Sequence, residues 1–555
     1  MQHNIFIEVN IIICYFIRQQ SAVFFFRGGN MFSSVITAAI NGMNAYRVTV
    51  EADVSDGMPI FSMVGYLGAE VREAQERVRT AIRNMGFTLP AKRITVSLTP
   101  ADLRKGGSGF DLPIALAVMA AGRMLPADKM EGIFAAGELG LDGSVNGIHG
   151  ALEMVSRAAS FGCHTCIIPA DNLMEVSLLS EPRVLGAHNL SDVLRYLKGE
   201  TGCLTASVPI SPEKFYTLLP GQAYDTDFAN LRGQKLLRRA AEIAVGGGHN
   251  LLLIGPPGAG KSMAARCIRT IQPSMTLEEV TEVTRIYSIA GALEHSDGPV
   301  VLRPFRAPHH TISSAGMAGG GSWPRPGEIS LAHQGILYLD ELPEFSTETI
   351  ELLRGPLEDG RIIISRKSGS FEFPARFQLI ASMTPCKCGY FPDRTKCRCS
   401  QRDVRKYLSR ISQPLLDRID MCMEVRQATY AEISGMLDSD GSEGKEQAER
   451  EGSDRIRKRV ELVRKRQQER YIQEDFSINA CIPSEKIRIY CPLGKEEEKL
   501  MEEMYESFAL TGRSYYKILR VARTIADLEG AENIGIRHLR EAAVYKMIDR
   551  KYWSL

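Results

Sequence analysis

The sequence predicts a multidomain α/β protein with a mixed α+β region, a central parallel sheet and a helical C-terminal region, in that order. The chain has 555 residues, enough for three or four domains of ordinary size. Apolar residues make up 44% and charged residues 24%, which excludes disordered and fibrous chains and allows sizeable buried cores. Regions of different hydrophobic periodicity then follow one another along the chain.

Charge and cysteine content limit the partners and the compartment. With 67 basic and 66 acidic side chains the formal net charge is +1, so no overall field attracts the protein to nucleic acid or acidic lipid. A site for a polyanion must therefore be local. Twelve cysteines are too few for a disulfide scaffold, and four of them are clustered. We expect a cytoplasmic protein without a membrane partner.

Residues 1–30 are apolar but lack the pattern of a signal peptide. Arg18, Gln19 and Gln20 separate two apolar runs that are each too short to span a bilayer, and no small-residue cleavage site follows. The letters RGGN before Met31 are what purine-rich codons of a ribosome-binding region would encode. We therefore predict that this segment is a non-native extension and that Met31 is the true start.

Residues 31–198 alternate strands with amphipathic helices and are predicted to form an α+β domain. The strands read YRVTVEADV and RITVSLTP, and the helices read AQERVRTAIRNMGF, DLPIALAVMAAG and GALEMVSRAASFG. Residues 199–224 have weak periodicity, which is typical of a linker.

Residues 225–430 have the alternation of a parallel sheet whose two faces are covered by helices. A helix (GQKLLRRAAEIAVGG) precedes an apolar strand (HNLLLIG), a glycine-rich loop and another helix, and two further buried strands read GILYLDE and FQLIAS. Residues 431–555 are predicted to form a helical C-terminal domain, in which the polar stretch 437–453 is expected to be flexible.

The strongest chemical signal is the glycine-rich loop GPPGAGKS, which follows the apolar strand and opens a helix, as the P-loop pattern requires. Glycines let backbone N–H groups surround phosphates, Lys261 places a cation against the β- and γ-phosphates, and Ser262 offers a hydroxyl to Mg²⁺. The alternative is a bare glycine turn. The predicted ATP-binding residues are Gly255, Pro256, Pro257, Gly258, Ala259, Gly260, Lys261, Ser262 and Met263.

A second half of the site is predicted where the apolar strand GILYL ends in Asp340 and Glu341. The carboxyl ends of parallel strands face the ligand crevice of the sheet. Asp340 is therefore expected to hold Mg²⁺ together with Ser262, and Glu341 to polarise the attacking water. The alternative is an acidic turn after a core strand.

Long motifs occur along the chain from Met31 to Tyr552. They read MFSSVITAAINGMNAYRVTVEADVSDGMPIFSMVG, DFANLRGQ, GGHNLLLIGPPGAGKS, FRAPHHTISSAG, GGGSWPRPGEISLAHQGILYLDELPEF, LSRISQPLLDRID and YYKILRVARTIADLEG. Together they resemble the Mg-chelatase-like AAA+ ATPases of the YifB/ComM family. The resemblance implies a homohexameric ring motor that hydrolyses ATP and carries an insertion before the Asp-Glu strand.

The same resemblance implies roles for two arginines. Arg418, in LLDRID, would be an arginine finger that reaches the neighbouring subunit, and an ion pair with Asp417 or Asp420 is the alternative. Arg513, in TGRSYY, would be a sensor that contacts the γ-phosphate within its own subunit, and Arg520 is the alternative for that role.

The resemblance also implies that Thr384, in ASMTPCKC, occupies the sensor 1 position, which helps to orient the attacking water. The family has Asn there. Because a Thr hydroxyl is shorter and lacks the amide, slower hydrolysis is expected.

The N-terminal stretches KGGSGFDLPIALAV and FAAGELGLDGSVNGIHGALEMVSRAASFGCHTCIIPADN resemble the proteolytic domain of Lon, with its ribosomal-S5-domain-2-like fold. Lon-type hydrolysis needs a Ser activated by a Lys. The nucleophile position falls on Gly109, one residue after Ser108, and the lysine position falls on Leu152. We therefore do not expect peptidase activity, and we expect this domain to have a role in assembly or binding.

Four cysteines form two closely spaced pairs: Cys386, Cys388, Cys397 and Cys399. Four thiolates can form a closed zinc site, although a single residue between paired cysteines is tighter than usual, and a reduced thiol loop is the alternative. Cys163 and Cys166 precede an apolar strand and are predicted to be core residues.

Three classes of function are compatible with these motifs: a DNA translocase, an ATPase subunit of a metal chelatase, and a nucleotide-dependent scaffold. Nothing in the chain indicates a porphyrin pocket, so chelatase partners are not expected. The segment from Arg455 to Arg470 has eight basic and two acidic residues, which indicates either a DNA-binding patch or a solvated helix face. ComM-type members are taken as DNA branch-migration motors in natural transformation, so the resemblance favours DNA.

Overall fold

The structure, a computed structural model, describes residues 31–211, 215, 224–231, 234–293, 298–321, 323–366, 369–430 and 451–553. The predicted extension 1–30, much of the predicted linker and most of the polar stretch 437–453 lie outside these ranges. Within them, none of the helices is long and apolar enough to cross a membrane.

The N-terminal region contains a mixed eight-stranded sheet. Its eight strands are Phe32–Asn41 (β1), Asn44–Ser55 (β2), Phe61–Val64 (β3), Arg93–Thr99 (β4), Ile133–Ala135 (β5), Thr165–Pro169 (β8), Arg183–Ala187 (β9) and Thr205–Ala206 (β10). Two short strands, Glu138–Leu139 (β6) and Val145–Asn146 (β7), form a separate pair. The order across the sheet is β10-β9-β8-β5-β1-β2-β4-β3. The helices are Ala69–Asn84 (α1), Asp111–Ala121 (α2), Ala151–Ala158 (α3), Leu173–Val176 (α4) and Leu190–Leu197 (α5).

Helix α2 is the centre of this region. All of its residues are buried, since it lies between the sheet and α1. Its one carboxylate, Asp111, is held by Arg77 of α1 through bonds of 2.6 and 3.0 Å, so the buried charge is paired. The strands and helices predicted for residues 31–198 are confirmed, with ends that differ by a few residues.

The central region contains a five-stranded sheet in which every neighbouring pair is parallel, in the order β12-β15-β18-β11-β19. Its strands are Leu251–Ile254 (β11), Phe305–Arg306 (β12), Ile336–Leu339 (β15), Gln378–Met383 (β18) and Met421–Glu424 (β19), and two hairpins add Gly319–Gly320 (β13), Arg325–Pro326 (β14), Arg361–Arg366 (β16) and Gly369–Pro374 (β17). Strands β11, β15 and β18 are buried on both faces, which explains their unbroken apolar sequences.

Helices cover this sheet and continue to the C-terminus. Those of the central region are Lys235–Gly247 (α6), Lys261–Thr270 (α7), Leu277–Ala290 (α8), Ser314–Ala318 (α9), Glu328–Leu331 (α10), Thr347–Glu351 (α11), Arg354–Asp359 (α12), Gln401–Leu408 (α13) and Gln413–Leu416 (α14). The C-terminal ones are Ser453–Arg470 (α15), Ile487–Tyr490 (α16), Lys495–Ser507 (α17), Gly512–Glu529 (α18) and Ile536–Trp553 (α19). The C-terminal helices share one hydrophobic core with α6, α7 and β11.

A buried polar network joins these helices to β11. His249, just before the strand, is fully buried; its Nε2 lies 2.8 Å from Thr524 Oγ1 of α18, and its Nδ1 lies 4.0 Å from Asp420 Oδ2. Gln467 of α15 donates to the carbonyl oxygen of Gly246 over 2.9 Å. The C-terminal helices are thus attached to the strand that leads into the glycine-rich loop.

Acid is expected to destabilise the protein through His249. Burial lowers the pKa of His249 to about 4, and the Asp420 carboxylate opposes this shift only in part. Between about pH 6.5 and pH 4 the unfolded chain binds a proton at this residue that the folded protein does not bind, so stability falls as pH falls. From pH 7 to pH 5 this should remove about 2 kcal/mol from the free energy of unfolding.

Denaturant unfolding of the wild type and His249→Gln, followed by circular dichroism at pH 7 and pH 5, measures this effect. The variant should lose that part of the pH dependence. An equal pH dependence in both proteins would show that His249 does not titrate as expected.

Candidate nucleotide-binding site

The glycine-rich loop joins β11 to α7, which begins at Lys261. Gly258 and Gly260 have φ angles of 71° and 86°, which residues with a Cβ rarely adopt. Lys261 Nζ donates to the carbonyl oxygens of Gly255 (2.8 Å) and Pro256 (2.9 Å). The loop and the N-terminus of α7 therefore offer backbone N–H groups beside a lysine, an arrangement that suits phosphate.

Asp340 follows β15 and lies next to Ser262. Ser262 Oγ donates to Asp340 Oδ2 over 2.7 Å, and Ser382 Oγ donates to Oδ1. Burial pushes the pKa of Asp340 upward, but the hydrogen bonds from Ser382 and Ser262 outweigh it and leave the pKa below its usual value. An ionised carboxylate beside a hydroxyl supplies the oxygen ligands that Mg²⁺ prefers, so the two predicted magnesium ligands fit this ion.

Glu341 has a left-handed backbone conformation and an exposed side chain. Its φ angle is 54°, in the left-handed region, and its side chain is 65% exposed. His310 Nδ1 lies 4.0 Å from Glu341 Oε2, and the imidazole packs edge-on against Phe345. Sequence reasoning did not single out His310, although the pair His309-His310 in the motif FRAPHHTISSAG was an available signal.

Thr384 lies beside the glycine-rich loop because Gly255 N donates to the carbonyl oxygen of Met383 over 3.1 Å. Its Oγ1 is 2.9 Å from the hydroxyl of Tyr407. Burial raises the pKa of Tyr407, so this phenol is neutral at physiological pH. Tyr407 was also missed from the sequence, since nothing local to α13 indicates its partner.

Arg418 lies at the opposite end of the sheet from the loop. The side-chain amide of Asn250, just before β11, donates to the Arg418 carbonyl oxygen over 3.0 Å. The four residues of β11, about 13 Å of strand, separate this point from the loop. Arg418 forms an ion pair with Glu358 and donates to the Pro414 carbonyl oxygen over 2.7 Å.

Arg418 does form an ion pair, as the alternative predicted, but its partner is Glu358 and not Asp417 or Asp420. Asp417 lies 3.9 Å from Arg513, and Asp420 lies 3.1 Å from Lys517. Arg513 is 61% exposed, and its contact with Asp417 places it next to the residue that precedes Arg418. These contacts do not support an approach of Arg513 to the γ-phosphate of its own subunit, which stays a prediction. Arg520 Nε is buried and has no hydrogen-bond partner among the residues that the structure describes.

The clustered cysteines come together: all four Sγ atoms lie within 4.8 Å of one another. The Sγ distances are 3.3 Å for Cys386–Cys388, 3.5 Å for Cys388–Cys397 and 3.8 Å for Cys386–Cys397. Tetrahedral zinc with Zn–S bonds of about 2.3 Å requires sulfurs about 3.8 Å apart, so these thiols fit the ion.

The basic helix α15 bonds most of its arginines to other groups of the same chain. Arg459 pairs with Glu242 (2.5 Å) and Glu451, and Arg470 pairs with Asp527 (2.5 Å). Main-chain carbonyl oxygens accept hydrogen bonds from Arg457, Arg464 and Arg466. Most of these arginines therefore hold the C-terminal helices in place, and DNA binding by this helix stays a prediction. Arg455, Lys458 and Lys465 are exposed and make no such bond to another described residue.

In the N-terminal region, the positions compared with Lon carry no nucleophile and no base. Gly109 lies just before α2, and Leu152 is buried on α3. The nearby Lys105 is buried and donates to a main-chain carbonyl oxygen. Cys163 and Cys166 are buried in the core, as predicted.

Three family models match regions of this chain. Residues 227–433 match the family model described as "Magnesium chelatase, subunit ChlI", residues 50–172 match "Subunit ChlI of Mg-chelatase", and residues 450–546 match "Magnesium chelatase, subunit ChlI C-terminal". The chain is 39% identical to "Uncharacterized protein YifB" of Salmonella typhimurium over 93% of its own length and 97% of that protein.

Two further relatives differ in how much they cover. "Competence protein ComM" of Haemophilus influenzae is 40% identical over 93% of this chain and 97% of its own length. "Magnesium-chelatase 38 kDa subunit" of Acidiphilium rubrum is 26% identical over 57% of this chain and 88% of its own length. The chain therefore belongs to the YifB/ComM family of magnesium-chelatase-like AAA+ ATPases.

Proposed function

We propose that this protein forms a homohexameric ring that hydrolyses ATP at its subunit interfaces and uses the cycle to move DNA. The observation that carries the first part is the separation of the site residues. Lys261, Ser262 and Asp340 gather at one end of the central sheet, and Arg418 lies at the other end. Since Arg418 cannot reach the nucleotide of its own subunit, a neighbouring subunit must supply this arginine if it serves the reaction.

Each residue of the site has a separate role in phosphoryl transfer. The loop amides and Lys261 hold the β- and γ-phosphates, and Ser262 and Asp340 hold Mg²⁺, which neutralises charge on the phosphates. Glu341, exposed and adjacent to Asp340, accepts a proton from the attacking water.

Two neighbours lie beside the groups that would surround the water. His310 Nδ1 is 4.0 Å from Glu341 Oε2, which is too long for a direct hydrogen bond. Tyr407 restrains the Thr384 hydroxyl through its 2.9 Å hydrogen bond, which limits what the shorter Thr can reach. Slower turnover than with Asn at position 384 is the expected consequence.

The choice of DNA as substrate rests mainly on similarity, with the exposed Arg455, Lys458 and Lys465 of α15 as the local positive charge. The relative named a competence protein matches nearly the whole chain, whereas the relative named a chelatase subunit matches 57% of it at lower identity. We propose three domains, at residues 31–198, 225–430 and 431–555, with the N-terminal domain serving assembly or binding. A chelatase-like ATPase and a scaffold are the competing functions.

DNA should stimulate ATP hydrolysis, and the exposed cations of α15 should contribute. Lys458→Glu/Lys465→Glu should weaken DNA binding and reduce the slope of log affinity against log salt by about one per lost phosphate contact. The matched control is Lys495→Glu/Lys499→Glu, two exposed lysines of α17. An ATPase rate that single-stranded, duplex and branched DNA all leave unchanged at low salt, relative to protein without DNA, would favour the competing functions.

We also propose that Cys386, Cys388, Cys397 and Cys399 hold one structural Zn²⁺. Elemental analysis of protein purified without added metal should find about one zinc per chain. Cys397→Ser/Cys399→Ser should lose it, while Cys203→Ser, a cysteine far from the cluster in sequence, should retain it. Zinc that survives the double substitution would exclude this site.

A further inference from the structure

The cysteine cluster touches the nucleotide site through one glycine. Gly389, directly after Cys388, has a φ angle of 85°, and a Cβ placed there would overlap Cδ of Pro257 and lie 2.8 Å from its Cγ. Pro257 belongs to the glycine-rich loop. The backbone of Gly389 therefore packs directly on the loop, which a residue with a side chain could not do without displacing it.

The turn that makes this contact is the turn that carries two of the thiols. Gly389 N donates to the carbonyl oxygen of Cys386 over 2.9 Å, which closes the turn. On its other side the loop is held by Gln427, whose Nε2 donates to the Pro257 carbonyl oxygen over 3.0 Å. Pro257 thus lies between a cysteine-bearing turn and a side chain that follows β19.

Gly258 and Gly260 add conformational freedom to the loop, so contacts with its other residues help to hold its phosphate-binding shape. A metal bound by four thiolates fixes the positions of the sulfurs, and its binding energy stabilises the fold around it. Losing the metal would release the turn and the contact with Pro257. The loop would then lose conformational entropy when a nucleotide binds, and this loss would weaken binding.

We infer that Gly389 is a positioning residue of the nucleotide site and that metal in the cysteine cluster braces the glycine-rich loop through it. This inference rests on the proposed ATPase function. Metal occupancy accordingly sets the affinity for ATP, while the catalytic groups at Asp340 and Glu341 are untouched. The predicted signature is a change in KM for ATP and in nucleotide Kd that exceeds the change in kcat.

The contact between Gly389 and Pro257 is tested by measuring the nucleotide Kd of the full-length protein with a fluorescent ATP analogue and Mg²⁺. Gly389→Ala should raise the nucleotide Kd about three- to tenfold. Gly162→Ala is the matched control, because Gly162 has nearly the same φ angle, 87°, but open space where a Cβ would lie. The control should bind as the wild type does. Equal Kd values for Gly389→Ala and wild type would overturn the inference.

A second substitution separates contact from general damage. Pro257→Ala removes Cδ and Cγ, the atoms that a Cβ at position 389 would meet. Gly389→Ala/Pro257→Ala should therefore bind nucleotide more tightly than Gly389→Ala alone. Strictly additive effects of the two substitutions would overturn the brace.

Removing zinc tests the role of the metal. Wild-type protein stripped with a chelator, then assayed in excess Mg²⁺, should bind the analogue more weakly, and added Zn²⁺ should restore the affinity. Equal binding with and without zinc overturns the inference but leaves the ATPase function intact. Wild-type protein that binds no nucleotide would overturn both.

Discussion

Glu341→Gln is expected to bind ATP normally and to lose 10²- to 10⁴-fold in turnover, about the contribution of a general base. The Gln side chain has the same shape but cannot accept a proton from water. Because the Glu341 side chain is 65% exposed, the substitution removes little packing and should leave the fold intact. Steady-state ATP hydrolysis and equilibrium binding of a fluorescent ATP analogue measure the two effects separately.

Two further variants show whether the loss of turnover is specific to Glu341. Glu344→Gln changes a carboxylate three residues away, which is paired with Arg410 over 3.1 Å, and should keep nearly full turnover. Lys261→Ala should instead weaken ATP binding, since it removes the cation that closes the loop. If Glu341→Gln turned over ATP at nearly the wild-type rate, the assignment of this residue would fail.

Arg418→Ala is expected to abolish the activity of the pure variant and to poison mixed rings beyond its share of subunits. An arginine finger supplied from a neighbour accounts for about 10³- to 10⁵-fold in related phosphoryl transfers. In a ring whose subunits hydrolyse ATP in a coupled way, one missing arginine inactivates the adjacent ATP site and slows hydrolysis at the other sites. ATPase assays across a series of variant-to-wild-type ratios, at constant total protein, measure this.

The control for Arg418 uses its own ion pair. Glu358→Ala breaks the Arg418–Glu358 contact but leaves the guanidinium in place, so it should remain largely active. Equal loss of activity in Glu358→Ala and Arg418→Ala would mean that the arginine has only a structural role. A linear fall of activity with the variant fraction would exclude a finger that acts between coupled subunits.

The sequence by itself determined the nucleotide loop and the order of the elements around it. The loop from Gly255 to Ser262 is recognisable because its function depends on local conformation, in which a buried strand, glycines and a helix start follow one another. Asp340 could be paired with it because parallel strands bring their carboxyl ends to one edge. The cysteine cluster was also predictable, since its members are close in sequence.

The tertiary structure alone decided which distant groups meet. Hydrophobic periodicity shows which face of a helix is buried, but it does not show which partner a buried charge will find. For that reason Arg459 reads as a free cation in the sequence and pairs with Glu242 in the fold. The contact of Gly389 with Pro257 likewise joins two segments that only the packing of the strands brings together.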